Sequence, residues 1–290
     1  MIDFRTPLLN DKERFEHYTV NSSQLGCDVS FATTYLWRIR YDIRIAFSQD
    51  TCFKAYYKNG QVAGYSFPIT TGDKKRAAEE VLLDAKERGI RPVIGLLNEE
   101  NARFLKDTYD DRVRIEEERD AADYIYRRED LATLSGKKYH AKRNHISRFL
   151  RLYGDDYSVE ELNERNLSDA LSVCERWQRD NDDTGEFSAI KEALGHLFEL
   201  SMFGLVLYVG ENPVAMTLAS AINSDIADVS FEKAVDIDEA YAVINNEFAK
   251  HFDTFTYLNR EEDLGVEGLR KAKLSYHPEI LYMKHTAYFE

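Results

Sequence analysis

The residues best equipped for chemistry lie near the C-terminus, between Asn259 and Pro278. Glu261, Glu262 and Asp263 stand in a row, with Arg260 before them and Arg270, Lys273 and His277 after them. A carboxylate of this kind can hold or deprotonate a cationic group, and the cations can hold a phosphate, a carboxylate or a developing oxyanion. The pattern predicts a short helix with Asp263 as its N-cap and the carboxylates against the positive end of its dipole. At 100° per residue, Leu269, Arg270, Lys273 and His277 fall within about 60° of Val266, so the cations share the apolar face. Burying an unpaired charge is costly, so Arg270 and Lys273 are expected to face a carboxylate, a polar cleft or a ligand. The plain alternative is that their methylene stems run along the edge of the core with the charges in water.

A second cationic stretch runs from Leu134 to Tyr153, with Lys137, Lys138, Lys142, Arg143, Arg148 and Arg151 and no acidic residue. Read as a helix, it has an apolar stripe of Tyr139, Ile146, Phe149, Leu150 and Tyr153. Lys142 and Arg143 flank that stripe, while Asn144, Arg148 and Arg151 look outward. Such a field suits a phosphate-bearing ligand, through forked arginine and point-charge lysine contacts. It also suits a linker helix whose charges pair with surface carboxylates.

The chain that must position these residues has 290 residues, 43% of them hydrophobic, and a net charge of −14. That length allows one large domain or two of about 140 residues. The acidic balance is poor equipment for wrapping nucleic acid or covering an anionic membrane with the whole surface. The first residues lack a signal peptide's basic start and apolar run, and no segment approaches the roughly 18 apolar residues that span a bilayer. The expectation is a soluble, cytoplasmic protein with no integral membrane segment. Cys27, Cys52 and Cys174 have no metal or redox spacing and are read as buried thiols. No His-Glu-x-x-His, Gly-x-Ser-x-Gly or Walker loop is present, so no metal site is expected.

Residues 1 to about 47 read as helix-rich. From Cys52 the order is a hairpin about Asn59-Gly60, a helix from Lys74 to Arg88, a strand at Pro92 to Leu97, a helix from Asn98 to Tyr109, and one or two strands within 112–127. The second half repeats that order after two helices, about Ser168 to Arg179 and Ser188 to Ser201. It continues with a hairpin turning at Gly210 to Pro213, a strand at Ile226 to Glu232, a helix at Asp238 to Phe252, a strand at Phe255 to Leu258, the helix described first, and a strand at Ile280 to His285. The fold class is therefore α/β (α+β), in two units of related plan: residues 1–133, a basic joining helix over 134–155, and residues 156–290.

Together, Lys137-Lys-Tyr-His-Ala-Lys-Arg-Asn-His-Ile146 and Asn259 to Pro278 resemble the soluble catalytic region of phosphatidylglycerol lysyltransferases and their stand-alone relatives. The resemblance implies two tandem acyltransferase domains of the GCN5-related N-acetyltransferase (GNAT) type, each a mixed central sheet flanked by helices. It implies transfer of an acyl or aminoacyl group to an amine or hydroxyl acceptor, a small molecule or peptide, with aminoacyl-tRNA as the donor in the lysyltransferases and acyl-CoA in the wider superfamily. By position it makes Lys142, Arg143, Asn144, Asn259, Arg260 and Lys273 substrate-binding candidates, and Asp263, Glu261 and Arg270 catalytic ones. Arg270→Ala or Asp263→Ala is then expected to abolish transfer without unfolding the chain.

Two features depart from the pattern. Without a transmembrane portion, nothing in the chain ties it to a lipid acceptor. Neither half has the Arg/Gln-x-x-Gly-x-Gly/Ala loop that holds the coenzyme A pyrophosphate at a helix N-terminus. In the second half that helix opens with Asp236, Asp238 and Glu239, which repel a pyrophosphate. In the first, Thr70-Thr-Gly-Asp-Lys-Lys-Arg76 is only a weak version of it. Acyl-CoA is thus the less favoured donor, and the cofactor-binding residues stay unassigned. Other classes remain open: a non-catalytic module binding a small ligand or peptide, or an RNA-binding protein using the basic helix, whose affinity would fall steeply with salt.

Overall fold

The computed structural model describes residues 1–19, 24–181 and 185–290. By Cα proximity these form two compact units. The first takes Met1–Asp123, Glu262–Arg270 and Leu281–Glu290, and the second takes Tyr124–Glu261 and Lys271–Ile280. This differs from a cut at residues 133 and 155 for a packing reason. The last strand pairs inside the first unit, and the basic helix packs inside the second.

The first unit opens with α1 (Lys12–Thr19), α2 (Phe31–Leu36) and β1 (Ile43–Phe47). The strand β1 was hidden in the sequence, where its Ile-Arg-Ile-Ala-Phe run sat in a stretch read as helical. The hairpin β2 (Thr51–Lys58) and β3 (Gln61–Ser66) turns at Asn59-Gly60, both residues at positive φ, as a twist-matched two-residue turn requires. A short β4 (Ile69–Thr70), α3 (Lys74–Glu87), β5 (Val93–Leu97), α4 (Glu99–Tyr109) and β6 (Val113–Arg127) follow. The sheet order is β1-β2-β3-β5, then β12 (Ile280–Phe289) and β6; β3 and β5 run parallel, whereas β5 and β12 run antiparallel. Phe53, Tyr65, Ile94, Leu97 and Leu105 lie at the centre of its core.

In the second unit come α5 (Arg128–Thr133), α6 (His140–Tyr153), β7 (Tyr157–Glu161), α7 (Leu167–Arg179), α8 (Glu186–Gly195), β8 (Leu205–Val209), β9 (Asn212–Ala221), β10 (Ile226–Ala234), α9 (Ala240–His251) and β11 (Tyr257–Asn259). Its sheet runs β6-β11-β10-β9-β8-β7, with only the β10–β11 pair parallel. The edge strand β7 was another omission, because its exposed Ser-Val-Glu-Glu run carries little apolar signal. The helix α6 begins later than Leu134, since Leu134 and Gly136 hold positive φ and break the backbone. Tyr139 and Phe149 of its stripe are buried, but Leu150 is exposed.

The last helix, α10 (Glu267–Leu274), starts four residues beyond the expected cap at Asp263. Leu264 and Gly265 adopt positive φ, which ends helical propagation there, and the Asp263 carboxylate turns into the interior. Val266 and Leu269 point to solvent, so the face taken as apolar is not a packing face. Among the described residues no helix is long and apolar enough to cross a membrane.

Candidate functional site

Asp263 and Arg270, drawn together within the first unit, form a clasp. Asp263 Oδ2 accepts from Arg270 Nε at 2.8 Å and Arg119 Nη1 at 3.2 Å, and its Oδ1 accepts from Arg270 Nη2 at 2.7 Å and the Gly265 amide at 2.8 Å. Arg270 Nη2 also donates to Asp120 at 2.6 Å. These bonds hold the Arg270 guanidinium well above its ordinary pKa. A buried carboxylate capped on both oxygens is a tie for the 263–270 loop and a poor proton acceptor.

The same unit contains a cluster that sequence reasoning missed. The Lys284 ammonium, buried on β12, lies 2.7 Å from Asp123, 3.5 Å from Cys27 Sγ, 3.5 Å from Asp28 and 4.0 Å from Glu262. Burial would lower its pKa, but Asp123 and its neighbours outweigh that and raise it well above the ordinary value. One atom each of Cys27, Asp123 and Glu262 fall within 4.8 Å of one another, a spacing a metal could use, yet the lysine already supplies the positive charge there. These residues come from 27, 123, 262 and 284, so no local motif announces them.

At the N-terminus of α3, the Thr70 to Arg76 stretch uses its donors internally. Asp73 accepts the Lys75 and Arg76 amides, Arg76 pairs with Asp50, and Lys74 pairs with Glu100. A phosphate would have to displace the chain's own carboxylates.

The second unit gathers the remaining candidates. Arg260 follows β11, and its Nη2 donates to Glu232 of β10 at 2.7 Å. The guanidinium stands 5.1 Å from the Tyr276 ring centre and 5.8 Å from that of Tyr126. Burial would lower its pKa, but Glu232 more than compensates and keeps it charged. Arg260 Nη1 is buried with no acceptor among the described residues. Asn245 of α9 donates to Glu232 at 3.2 Å, while its own Oδ1 is buried without a donor among them.

Lys142 reaches the same place from α6, its Nζ 3.7 Å from the Tyr276 ring centre. Burial, then repulsion from Arg260, lowers its pKa to about 8, against a smaller opposing pull from Glu232. The cluster therefore holds two cations against one carboxylate, lined by two tyrosines. Lys273 ties the loop beneath it, donating to the Arg260 carbonyl at 2.5 Å and the Glu261 carbonyl at 3.1 Å, and Tyr126 OH donates to the Lys273 carbonyl at 2.8 Å. Buried Asn259 accepts the Glu261 amide at 2.7 Å. Lys273 and Asn259 thus set the backbone on which Arg260 is carried.

Two candidates lie apart from this cluster in their bonding. Arg143 Nη1 donates to the Leu134 and Gly136 carbonyls, closing the turn before α6. Asn144 is exposed beside His140, 3.2 Å away. Sequence reasoning found Lys142 and Arg260 but missed Glu232, Asn245, Tyr126 and Tyr276. Of these only Tyr276, inside the 259–278 block, carried a signal.

An arrangement of this kind can hold an anionic group, with Arg260 Nη1 and Lys142 as donors and the tyrosine rings as walls. Comparison with known proteins agrees with the architecture. A solved conserved protein of unknown function from Bacteroides thetaiotaomicron is 36% identical with a TM-score of 0.94, each chain covered in full. The solved L-PGS from Bacillus licheniformis shares the fold at 17% identity, with a TM-score of 0.70 over 96% of this chain and 92% of that one. An uncharacterized protein of Mycoplasmoides gallisepticum is 23% identical over 191 residues, 63% of this chain; the match spans 60% of the length of that curated relative. A family model described as phosphatidylglycerol lysyltransferase, C-terminal, matches residues 20–288, and the chain belongs to that family.

Proposed function

We propose that the protein transfers an acyl or aminoacyl group to an amine or hydroxyl acceptor, and that Lys142 and Arg260 hold the anionic part of a substrate. The observation that carries the site assignment is the pair of cations facing one carboxylate, with Arg260 Nη1 buried and without an acceptor among the described residues. Family membership supports the reaction class. In such a reaction the acceptor nitrogen or oxygen bonds to the acyl carbon, the carbonyl electrons move to oxygen and return, the donor's leaving oxygen or sulfur departs, and the acceptor's proton passes to a base. Lys142, with a pKa near 8, is present partly as the neutral amine at mildly alkaline pH and suits either anchoring or proton acceptance. The Asp263–Arg270 clasp, on this reading, shapes the 263–270 loop.

The test is direct. Purified protein is incubated with labelled aminoacyl-tRNA or acyl-CoA and with phosphatidylglycerol, free amines or peptides, and label moving to the acceptor is measured. Transfer by the native chain and its loss in Lys142→Ala, with folding retained by circular dichroism, is the expected result. Tight ligand binding without turnover for any donor would make the protein a binding module instead.

A further inference from the structure

Cys27 and Lys284 are a pair of reactive groups for which transfer chemistry at Lys142 and Arg260 has no use. Both lie buried in the first unit, Cys27 on the short turn Cys27–Val29 before α2 and Lys284 on β12. Asp123, itself fully buried, holds them together. Its Oδ2 accepts the Cys27 amide at 2.9 Å, and its Oδ1 accepts from Lys284 Nζ at 2.7 Å and lies 3.5 Å from Cys27 Sγ. The lysine nitrogen and the cysteine sulfur are thereby kept in contact, 3.5 Å apart. The other two thiols are quieter. Burial pushes Cys52 and Cys174 up to about 12, and Cys52 Sγ faces the Phe53 carbonyl at 4.0 Å. A thiol reacts as its thiolate, so these two serve as inert references.

We propose that Cys27 and Lys284 form a modification site, at which hydrogen peroxide oxidises the sulfur and the lysine nitrogen captures it in a covalent S–N (sulfenamide) cross-link. Peroxide is small and uncharged, which suits a thiol only 4% exposed. In the first step the sulfur takes one oxygen from peroxide, the O–O bond breaks and water leaves. The thiol becomes a sulfenic acid, and peroxide is reduced by two electrons. In the second step the lysine ammonium passes a proton to Asp123, Nζ attacks the sulfur and the S–O bond breaks. The departing hydroxyl leaves as water with a second proton from the nitrogen. One thiol, one amine and one peroxide thus give one cross-link and two waters. Lys284 and Asp123 become neutral together, so the step adds no net charge to the buried cluster. Because the amine is already in contact with the sulfur, capture is favoured over further oxidation. The link joins residues 257 apart and closes most of the chain into one loop.

Peptide mapping of the full chain after treatment with hydrogen peroxide tests the proposal. Trypsin cuts the untreated chain after Arg14, Arg38, Lys273 and Lys284. The treated chain should lose the cut at Lys284 and yield residues 15–38 joined to residues 274–290. That product should weigh two hydrogen atoms less than its parts, and dithiothreitol should separate them. On a denaturing gel without reductant the treated chain should run faster, because a closed loop compacts the unfolded chain. Cross-linking should quicken as pH rises, since Nζ must give up its proton before it attacks. Cys27→Ser should abolish the link, and Cys52→Ser and Cys174→Ser should each retain it. Lys284→Arg keeps a charge beside Asp123 but offers no amine, so its sulfenic acid should persist and be trapped by dimedone. The proposal fails if the treated native chain is still cut at Lys284, or if Cys27 stays a thiol or ends as a sulfinic or sulfonic acid. A linked pair heavier by an oxygen atom would overturn the direct S–N bond.

Discussion

Buried Lys284 and half-buried Lys142 have pKa values shifted in opposite directions, and each shift assigns its residue a different task. Lys284 has a raised pKa because Asp123 stands against it. Its stabilising contribution is complete below the unfolded lysine value and is lost only as pH climbs through the still higher folded one. Lys284→Met should cost about 3–5 kcal/mol across neutral pH, measured by urea denaturation, because Asp123 is left buried and unmatched. Lys142 is the reverse, with a folded pKa near 8 and an ordinary value of 10.5. Between those values the unfolded chain binds more protons, so native stability from this group rises with pH, and Lys142→Met should flatten that rise. Affinity for an anion should fall as pH passes through about 8, and titration calorimetry at several pH values would show it. For Asp263→Ala we expect melting temperature to drop by roughly 5 °C as the loop's tie is lost, whatever happens to activity. An unchanged melting temperature with abolished transfer would return Asp263 to a catalytic role. The sequence already marked Arg270, Lys273, Lys142 and Arg143 as cations on a face that should pack, Asp263 as a helix cap, and Arg260 as a candidate by resemblance. Which of them meet a counter-charge depended on Asp120, Arg119 and Glu232, whose contacts lie about 30 to 150 positions away.

At the scale of elements, backbone approach sets the tolerances. Gly204 enters β8 where a Cβ would come 2.0 Å from the Thr217 carbonyl oxygen. Its own carbonyl accepts the Leu162 amide at 2.9 Å, and the neighbouring Leu205 amide donates to Thr217 Oγ1 at 3.0 Å. Gly204→Ala should therefore destabilise by about 2–3 kcal/mol, seen as a lower urea midpoint. Helices and hairpins with strong local signals were legible beforehand: α3 from its alanine and valine spacing, and the β2–β3 hairpin from Asn59-Gly60. β1 and β7 were not, because an edge strand's identity comes from its pairing partner. β1 has its register from β2, Ile43 opposite Tyr56, and β7 has its own from β8, Tyr157 opposite Val209. The cap at Asp263 failed for a related reason, since Arg270 and Arg119 compete for its carboxylate more strongly than a helix N-terminus does.

Across the whole molecule, the C-terminal strand belongs to the unit that begins the chain. Ending the chain at Ile280 should leave the first unit without β12, the partner of β5, and without Lys284 to neutralise Asp123. Loss of cooperative unfolding in that truncated form, measured by calorimetry, is the expected outcome; retention of the native transition would mean that β12 adds little. By itself, the sequence determined the α/β class, the order of most elements and the two blocks where charge sits against packing, because periodicity, turn chemistry and composition act over a few residues. It also pointed to the family, through residues within those blocks. Tertiary structure alone decided that β12 closes the first unit's sheet, that Lys284 meets Cys27, Asp123 and Glu262, and that Lys142 and Arg260 converge while Arg143 turns to backbone carbonyls. A buried charge takes its meaning from the counter-charge beside it, and that neighbour is supplied by chain folding over distances no local pattern spans.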